Sequence, residues 1–214
     1  MRVKICGLTR LEDVNAALNE GADAVGFVVD SPASLRNLTF SKAKRLMKAT
    51  RVFSTGVAVT STRDPKHILK ICTQLEPAAL QLHYHTPKLL QLIRKRKPSI
   101  KLILATRVRD NSSLKSAKTA SHYSDAILAD SLSLAGMGGT GLVNDWHLAA
   151  KIRSSISPHP LILAGGLTAK NIKAAIEKVK PFAVDVSSGV ERSVGIKDHE
   201  KIRKFIMNAK EMKV

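Results

Sequence analysis

The chain has 214 residues, of which 44% are hydrophobic and 4% aromatic, and its 35 Lys and Arg residues against 17 Asp and Glu residues give a formal net charge of +18. No apolar stretch approaches the roughly 18 residues of a membrane-spanning helix, and no signal-type apolar segment follows the charged start. Two cysteines without zinc-like spacing exclude a disulfide framework, so we expect a soluble, cytosolic globular protein with reduced thiols.

Short runs rich in Val, Ile and Leu alternate with longer segments of helical period along the whole chain. Eight such pairs are present, and each predicted strand is followed by a candidate helix. The predicted strands cover residues 2–6, 24–29, 53–59, 79–82, 101–106, 126–130, 160–164 and 182–187.

Two of the predicted helices carry clear end signals. The first has its apolar residues on one face, and Gly21 follows as a C-terminal glycine. Asp64-Pro65 reads as an N-cap followed by proline at the first helical position of the third helix. The spacing places Cys72 on the buried face of that helix, as a core residue.

Strict alternation of strand and helix indicates parallel strands joined by right-handed crossovers, and eight repeats permit closure into a barrel. We therefore predict an α/β fold, a single-domain (β/α)8 TIM barrel over residues 1–214. An open doubly wound sheet is the alternative. It usually has fewer strands and a glycine-rich fingerprint after the first one, whereas the first strand here ends in Cys6-Gly7-Leu8-Thr9.

A glycine-rich segment at residues 136–141 matches the dinucleotide-binding pattern by spacing. It lies several residues beyond the sixth predicted strand, and no acidic residue ends a strand about 20 residues further on, as ribose recognition requires. We interpret the segment as a flexible loop over an active site, with no nucleotide cofactor.

Polar residues at the carboxyl ends of the predicted strands are few, and in a (β/α)8 barrel those ends carry the chemistry. The candidates are Cys6, Arg36, His83, Asp130, Asp185, Ser187 and Ser188. His83 and His85 could suggest a metal pair. Two histidines without a third ligand at a nearby strand end argue against a metal site.

Small residues follow the seventh and eighth strands, as Gly165-Gly166 and as Ser187-Ser188-Gly189. They let backbone N–H groups approach an anion closely, and a short helix start adds its positive dipole end. We predict a phosphate site formed by both loops. A tight turn at Gly165-Gly166 is the alternative.

A series of short sequence motifs along nearly the whole chain resembles the phosphoribosylanthranilate isomerase family in order and spacing. The blocks are Lys4-Ile5-Cys6-Gly7, residues 21–27, Ser34-Leu35-Arg36, Gln81-Leu82-His83, Asp130, residues 138–141, Asp145-Trp146, Gly165-Gly166-Leu167, residues 181–191 and Lys197-Asp198. Tyr84 and Asn144 depart from the family pattern, in which glycine and phenylalanine are usual.

The resemblance implies a (β/α)8 barrel that catalyses an Amadori rearrangement in tryptophan biosynthesis without a cofactor. It implies that Cys6 is the general base and Asp130 the general acid, and that Arg36 and Asp185 belong to the site. His83 could line the substrate pocket, and Tyr84 beside it could narrow the loop after the fourth strand.

The residue types suit this chemistry independently. A carboxylic acid such as Asp130 can protonate the ring oxygen of a furanose, and a thiolate at Cys6 can remove the acidified sugar proton. Period-two geometry places Lys4 on the strand face of Cys6, where its charge favours the thiolate or pairs with an inward carboxylate. Arg36 is suited to bind a carboxylate by two hydrogen bonds, or it is a solvated loop arginine.

Two rival functions remain open. One is the barrel isomerase of histidine biosynthesis, against which the Cys6 position and the absence of an acidic residue ending strand five argue. The other is a basic nucleic-acid-binding barrel, motivated by the net charge alone. The basic runs at 42–45 and 94–97 have no interleaved Phe or Tyr, so solvated helix faces are the simpler interpretation. We expect a small anionic substrate with phosphate and carboxylate groups, no specific nucleic acid, no membrane, and a monomer or homodimer.

Overall fold

Eight parallel strands follow one another around a closed barrel, in the order in which they occur in the chain. The structure is a computed structural model that describes residues 1–130 and 146–212. The strands are β1 (Arg2–Ile5), β2 (Ala24–Val28), β3 (Thr55–Thr60), β4 (Ala79–Leu82), β5 (Lys101–Arg107), β6 (Ala126–Asp130), β7 (Leu161–Ala164) and β8 (Ala183–Val186).

Helices connect the strands on the outside of this barrel. They are α1 (Leu11–Asn19), α2 (Phe40–Met47), α3 (Pro65–Gln74), α4 (Pro87–Arg96), α5 (Ser112–Ser121), α6 (Trp146–Ile156), α7 (Ile172–Val179) and α8 (His199–Lys210). None of the helices described here is long and apolar enough to cross a membrane.

The predicted (β/α)8 architecture is confirmed, and the strand bounds agree to within two residues. The largest error is at the third strand, which was expected to begin at Phe53 and begins at Thr55. Phe53 is 99% exposed in the connection before the strand. Phe53 is therefore an exposed apolar residue that precedes β3 and takes no part in its pairing with the neighbouring strands.

The residues predicted to end α1 and to begin α3 do so in the structure. Gly21 follows α1 with φ at 92°, and the Asp64 side chain accepts a hydrogen bond from the backbone N–H of Lys66 at the start of α3. Cys72 is 4% exposed in the core, as expected. A short hairpin between β8 and α8 was not predicted. It comprises β9 (Glu191–Ser193) and β10 (Ile196–Lys197), preceded by a 3-10 turn at Ser188–Val190.

Side chains alternate between the barrel interior and the layer under the helices. In β6, Ile127 and Ala129 pack in the outer core, whereas Ala126 and Leu128 belong to the inner cluster. The same alternation turns Asp130 inward at the end of the strand. Cys6 belongs to the inner cluster as well, so both side chains lie on the inside of the barrel near its carboxyl end.

The densest basic runs lie on helices, as the sequence indicates. Lys42, Lys44 and Arg45 are exposed on α2, and Lys95 and Arg96 are exposed on α4. This confirms that they form solvated outer faces. The glycine-rich segment at 136–141, together with Asn144 and Asp145, lies outside the described residues.

Candidate active site

Cys6 directly follows β1 and is buried at the mouth of the barrel. Its backbone N–H donates to the carbonyl of Val186 at the end of β8, at 2.8 Å. A Cβ atom on Gly26 of β2 would lie 2.8 Å from the Cys6 Sγ and 3.1 Å from the Lys4 Nζ. Glycine at position 26 therefore leaves the space that the thiol and the ammonium occupy.

Lys4 and Asp185 form an ion pair inside the barrel. The two residues are register partners in β1 and β8, and Lys4 Nζ lies 2.9 Å from Asp185 Oδ1 with both side chains buried. Burial alone lowers the pKa of Lys4, but Asp185 and Cys6 more than offset this effect and the pKa is raised. Lys4 thus interacts with both groups considered for it, the inward carboxylate and the thiol.

The charge state of Cys6 depends on opposing effects. Burial raises the pKa of the Cys6 thiol, the ammonium groups of Lys4 and Lys197 lower it, and Asp185 raises it. The net direction is upward, so Lys4 favours the thiolate but does not overcome desolvation. The thiol is therefore the resting form at neutral pH.

His83 extends the site along β4 towards Asp130. Its backbone N–H donates to the Thr60 carbonyl at 3.1 Å, and its Nε2 lies 3.2 Å from the amide nitrogen of Gln81. Burial lowers the pKa of His83, while the Asp130 carboxyl opposes the shift. The imidazole is therefore neutral at pH 7, and His83 lies within electrostatic reach of Asp130.

Asp130 ends β6, beside Arg107 of β5 and Ala164 of β7 in the strand register. It is half-buried. Lys4, Asp185 and Asp130 all influence His83 electrostatically. This places the predicted acid and the groups around Cys6 at one common mouth.

Arg36, in the segment between β2 and α2, is half-buried and not freely solvated. Its Nε donates to Glu191 Oε1 at 2.7 Å, and its Nη2 donates to Glu191 Oε2 at 2.6 Å. These hydrogen bonds raise the pKa of Arg36 above its ordinary value. The predicted carboxylate-binding guanidinium thus has a protein partner on one of its edges.

The loops after β7 and β8 touch each other. Gly165 and Gly166 have φ values of 88° and 63°, in the left-handed region that favours glycine. A Cβ on Gly189 would lie 1.9 Å from the Leu167 carbonyl oxygen, so only glycine fits there. In the part of the chain that is described, the backbone N–H groups of Gly166, Ser188 and Gly189 have no protein acceptor.

Ser187 joins the end of β8 to Lys197 of the β9–β10 hairpin. Its carbonyl oxygen accepts a hydrogen bond from Lys197 Nζ at 3.0 Å, and its Oγ lies 3.5 Å from the same nitrogen. Glu191 and Lys197 were not predicted as site residues, although both belong to the sequence blocks that resemble the family. Their proximity to Arg36 arises from the β9–β10 hairpin, and no periodicity signals it.

A closed (β/α)8 barrel with a buried thiol, a carboxyl group and two adjoining glycine-containing loops at its carboxyl mouth has the arrangement of barrel enzymes, whose active sites lie at the carboxyl ends of the strands. The sequence model of the N-(5'-phosphoribosyl)anthranilate isomerase family matches residues 3–208. The chain belongs to this family.

Individual relatives agree with this assignment. The N-(5'-phosphoribosyl)anthranilate isomerase of Methanocella arvoryzae is 38% identical over 206 residues, which cover 96% of each chain. A crystal structure of a phosphoribosyl anthranilate isomerase in complex with reduced 1-(o-carboxyphenylamino)-1-deoxyribulose 5-phosphate is 37% identical, with a TM-score of 0.83 over 99% of this chain and 100% of that one.

A third relative bears on assembly. It is a structure of monomers generated from the dimeric phosphoribosylanthranilate isomerase of Thermotoga maritima. It is 36% identical to this chain, with a TM-score of 0.84 over 99% of this chain and 100% of that one.

Proposed function

We propose that Cys6 and Asp130 carry out the Amadori rearrangement of N-(5-phosphoribosyl)anthranilate to 1-(2-carboxyphenylamino)-1-deoxyribulose 5-phosphate, in tryptophan biosynthesis. The observation that carries the proposal is the arrangement of a buried thiol and an inward carboxyl at the ends of β1 and β6 of one barrel. General acid and general base must reach the same sugar from different sides, and two strand ends on one mouth allow this.

The first step is opening of the furanose. Asp130, as the carboxylic acid, donates its proton to the ring oxygen while the C1–O bond breaks and the nitrogen lone pair forms the protonated Schiff base. The positive nitrogen acidifies the C2–H bond. Cys6, as the thiolate, removes that proton to give the enolamine, which ketonises when C1 is protonated and the C2 hydroxyl loses its proton. The protons balance, and no oxidant, reductant or cofactor is needed.

Substrate binding is assigned to the groups around this pair. Arg36 binds the anthranilate carboxylate with its remaining N–H groups, since guanidinium and carboxylate match in a two-bond geometry. Asp185, fixed by Lys4, accepts hydrogen bonds from sugar hydroxyl groups, and His83 lines the pocket as a neutral donor or acceptor.

The phosphate is assigned to the loops after β7 and β8. The N–H groups of Gly166, Ser188 and Gly189, which have no acceptor among the residues described, are suited to bind its oxygens, with Gly165 shaping the turn and the Ser187 hydroxyl at the edge. The positive net charge of the protein attracts a substrate that carries both phosphate and carboxylate.

A turnover assay with purified protein tests the proposal. Anthranilate adducts are fluorescent, so consumption of N-(5-phosphoribosyl)anthranilate is followed directly, and the aminoaldose of histidine biosynthesis serves as the competing substrate. We expect turnover of the anthranilate adduct. Turnover of the imidazole carboxamide compound alone would overturn the assignment in favour of the histidine-pathway rival.

The nucleic-acid-binding alternative predicts a different result. Tight binding of duplex or single strands, with a logarithmic affinity that falls steeply with salt and with no isomerase activity, would support it. The cytosolic location expected from the sequence remains a prediction, which fractionation of cells that produce the protein tests.

Of the two assembly states expected from the sequence, we favour a homodimer. Val52 and Phe53 are 92% and 99% exposed, next to each other in the connection between α2 and β3. This connection lies at the end of the barrel opposite to the site, and a neighbouring pair of bare apolar side chains is typical of a contact surface. Sedimentation of the wild type and of Phe53→Glu tests it: a monomeric wild type would contradict the dimer.

A further inference from the structure

Glu191 is the centre of a buried charged cluster next to the proposed carboxylate anchor. Its Oε1 accepts hydrogen bonds from Arg36 Nε at 2.7 Å and from Lys197 Nζ at 2.9 Å, and its Oε2 accepts from Arg36 Nη2 at 2.6 Å. The backbone N–H of Gly195 lies 3.3 Å from Oε1. The Glu191 carboxylate is therefore held from the hairpin side as well as from the Arg36 side.

The geometry of the Arg36 contact determines which part of the guanidinium stays available. Glu191 takes the edge formed by Nε and Nη2. The second edge, formed by Nη1 and Nη2, is the one through which a guanidinium can still bind another carboxylate by two hydrogen bonds. Arg36 can therefore keep its protein partner and bind a ligand at the same time.

The stem of Arg36 also lies close against Gly7. A Cβ atom on Gly7 would lie 2.6 Å from Arg36 Cδ and 2.7 Å from the Oγ of Ser187. The Arg36 side chain therefore passes directly over the backbone that follows Cys6. Its guanidinium is near enough for Cys6 to influence its pKa.

The charges of the cluster leave a net attraction for an anion. Arg36 and Lys197 contribute two positive charges, and Glu191 contributes one negative charge. Burial alone would raise the pKa of Glu191, but Arg36 and Lys197 more than offset it, and the pKa is lowered. Lys197 thus compensates the Glu191 charge, which would otherwise cancel the attraction of Arg36 for a carboxylate.

Stability alone gives a weak reason for such a cluster. Burial of the Glu191 and Lys197 side chains beside the half-buried Arg36 carries a large desolvation cost, and apolar replacements of buried ion pairs are often neutral or stabilising. The cluster also lies in the β9–β10 hairpin and the segment before α2, outside the eight strands that close the barrel. Its position beside the site points to a role in binding.

We propose that Glu191 is a positioning residue, which orients the guanidinium of Arg36 so that its free edge meets the aromatic carboxylate of the substrate, with Lys197 supplying the compensating charge. This inference rests on the proposed function, because it assumes a ligand with a carboxylate at that place. It assigns Glu191 no contact with the substrate.

Two ligands that differ only in the carboxylate test this role. The first is reduced 1-(o-carboxyphenylamino)-1-deoxyribulose 5-phosphate, and the second is the same compound with a plain phenyl ring. Calorimetry gives the dissociation constants for the wild type and for Glu191→Gln, which is nearly isosteric but lacks the charge. We expect Glu191→Gln to weaken binding of the first ligand about 10- to 100-fold, as for a lost charge-assisted hydrogen bond, and to leave the second unchanged.

The Arg36→Met background separates positioning from general loss of structure. If Glu191 acts through Arg36, adding Glu191→Gln to Arg36→Met causes no further loss for the carboxylate ligand. A matched control is Glu200→Gln, because Glu200 makes the same two-bond contact with Arg203 at 3.0 and 2.9 Å on the exposed face of α8. This control should bind both ligands like the wild type.

The outcomes are distinguishable. Equal weakening of both ligands by Glu191→Gln, or a further loss in the Arg36→Met background, would overturn the positioning role while the wild type still turned over its substrate. A wild type that neither isomerises the anthranilate adduct nor binds the first ligand would overturn the proposed function and this inference with it. If Glu191→Gln does not fold, the same two-ligand test is carried out on Glu191→Asp. This variant keeps the negative charge but moves it away from Arg36 by one methylene.

Discussion

Lys4 Nζ and Asp185 Oδ1 lie 2.9 Å apart inside the barrel, on neighbouring strands whose register places the two residues side by side. This pair lies inside the barrel at the candidate site, and the Cys6 thiol lies next to the Lys4 ammonium group. The protonation of the Cys6 thiol therefore depends on a contact between the first and the last strand of the barrel.

Replacement of either proposed catalytic residue should remove most of the activity. We expect Cys6→Ala and Asp130→Asn each to lower kcat by about 100- to 10,000-fold, the usual contribution of a positioned acid or base. Far-ultraviolet circular dichroism should remain that of the wild type. Near-normal turnover of Cys6→Ala would end its assignment as the base.

The pH dependence of the reaction should report the Cys6 thiol. Burial raises the pKa of Cys6 in the free protein, and the thiolate is the reactive form, so kcat/KM should increase as the pH rises towards that raised pKa. The free-enzyme profile from pH 6 to 10 measures this. A kcat/KM that is constant over this range would contradict a thiolate base with a raised pKa.

Removal of one member of the buried ion pair should destabilise the protein. Lys4→Met leaves the Asp185 carboxylate buried without its cation, which costs about 3–5 kcal/mol of the free energy of unfolding. The double variant Lys4→Met/Asp185→Leu should recover much of that loss. Urea unfolding measures both, and Lys173→Met is the control because its exposed pair with Glu211 contributes about 0–1 kcal/mol.

The pair also has a defined dependence on pH. Because the pKa of Lys4 is raised in the folded protein, its contribution is complete below the ordinary lysine pKa and is lost as the pH rises through the folded value. The stability difference between wild type and Lys4→Met should therefore be constant from pH 6 to 9 and decrease at more alkaline pH. A difference that decreases between pH 6 and 9 would refute the raised pKa.

A methyl group at position 26 should disturb the site directly. Gly26→Ala places a Cβ 2.8 Å from the Cys6 Sγ, closer than such contacts allow, so the thiol must move, and 3.1 Å from Lys4, which must also shift slightly. We expect a loss of kcat of at least about tenfold, since misplaced catalytic groups lose this much or more. Unchanged kcat would show that the thiol need not hold its present position.

The eight strands and the position of Asp130 at the end of one of them could be predicted because they depend on local pattern. Residues Ala126 to Asp130 alternate between two faces, and this alternation directs the carboxyl inward wherever the strand is placed in the barrel. The third strand, which was predicted to start at Phe53, shows where prediction from local pattern fails. An exposed aromatic residue before a strand has the same local pattern as a buried one within it.

The electrostatics of the site could not be predicted in the same way. The sequence places Lys4 on the face of Cys6, but it contains no measure of burial, which decides that the thiol pKa is raised. The sequence also suggests that Arg36 is either solvated or free to bind. The two-bond contact with Glu191 joins residues that are 155 positions apart.

The sequence by itself determined the alternation of strands and helices, the inward face of each strand and the set of polar residues at the strand ends, because these follow from the periods of helix and strand. Only the tertiary structure decided which of those residues meet, how deeply they are buried and which charge each carries. These properties depend on barrel closure and on the β9–β10 hairpin, which join segments that are distant in the chain.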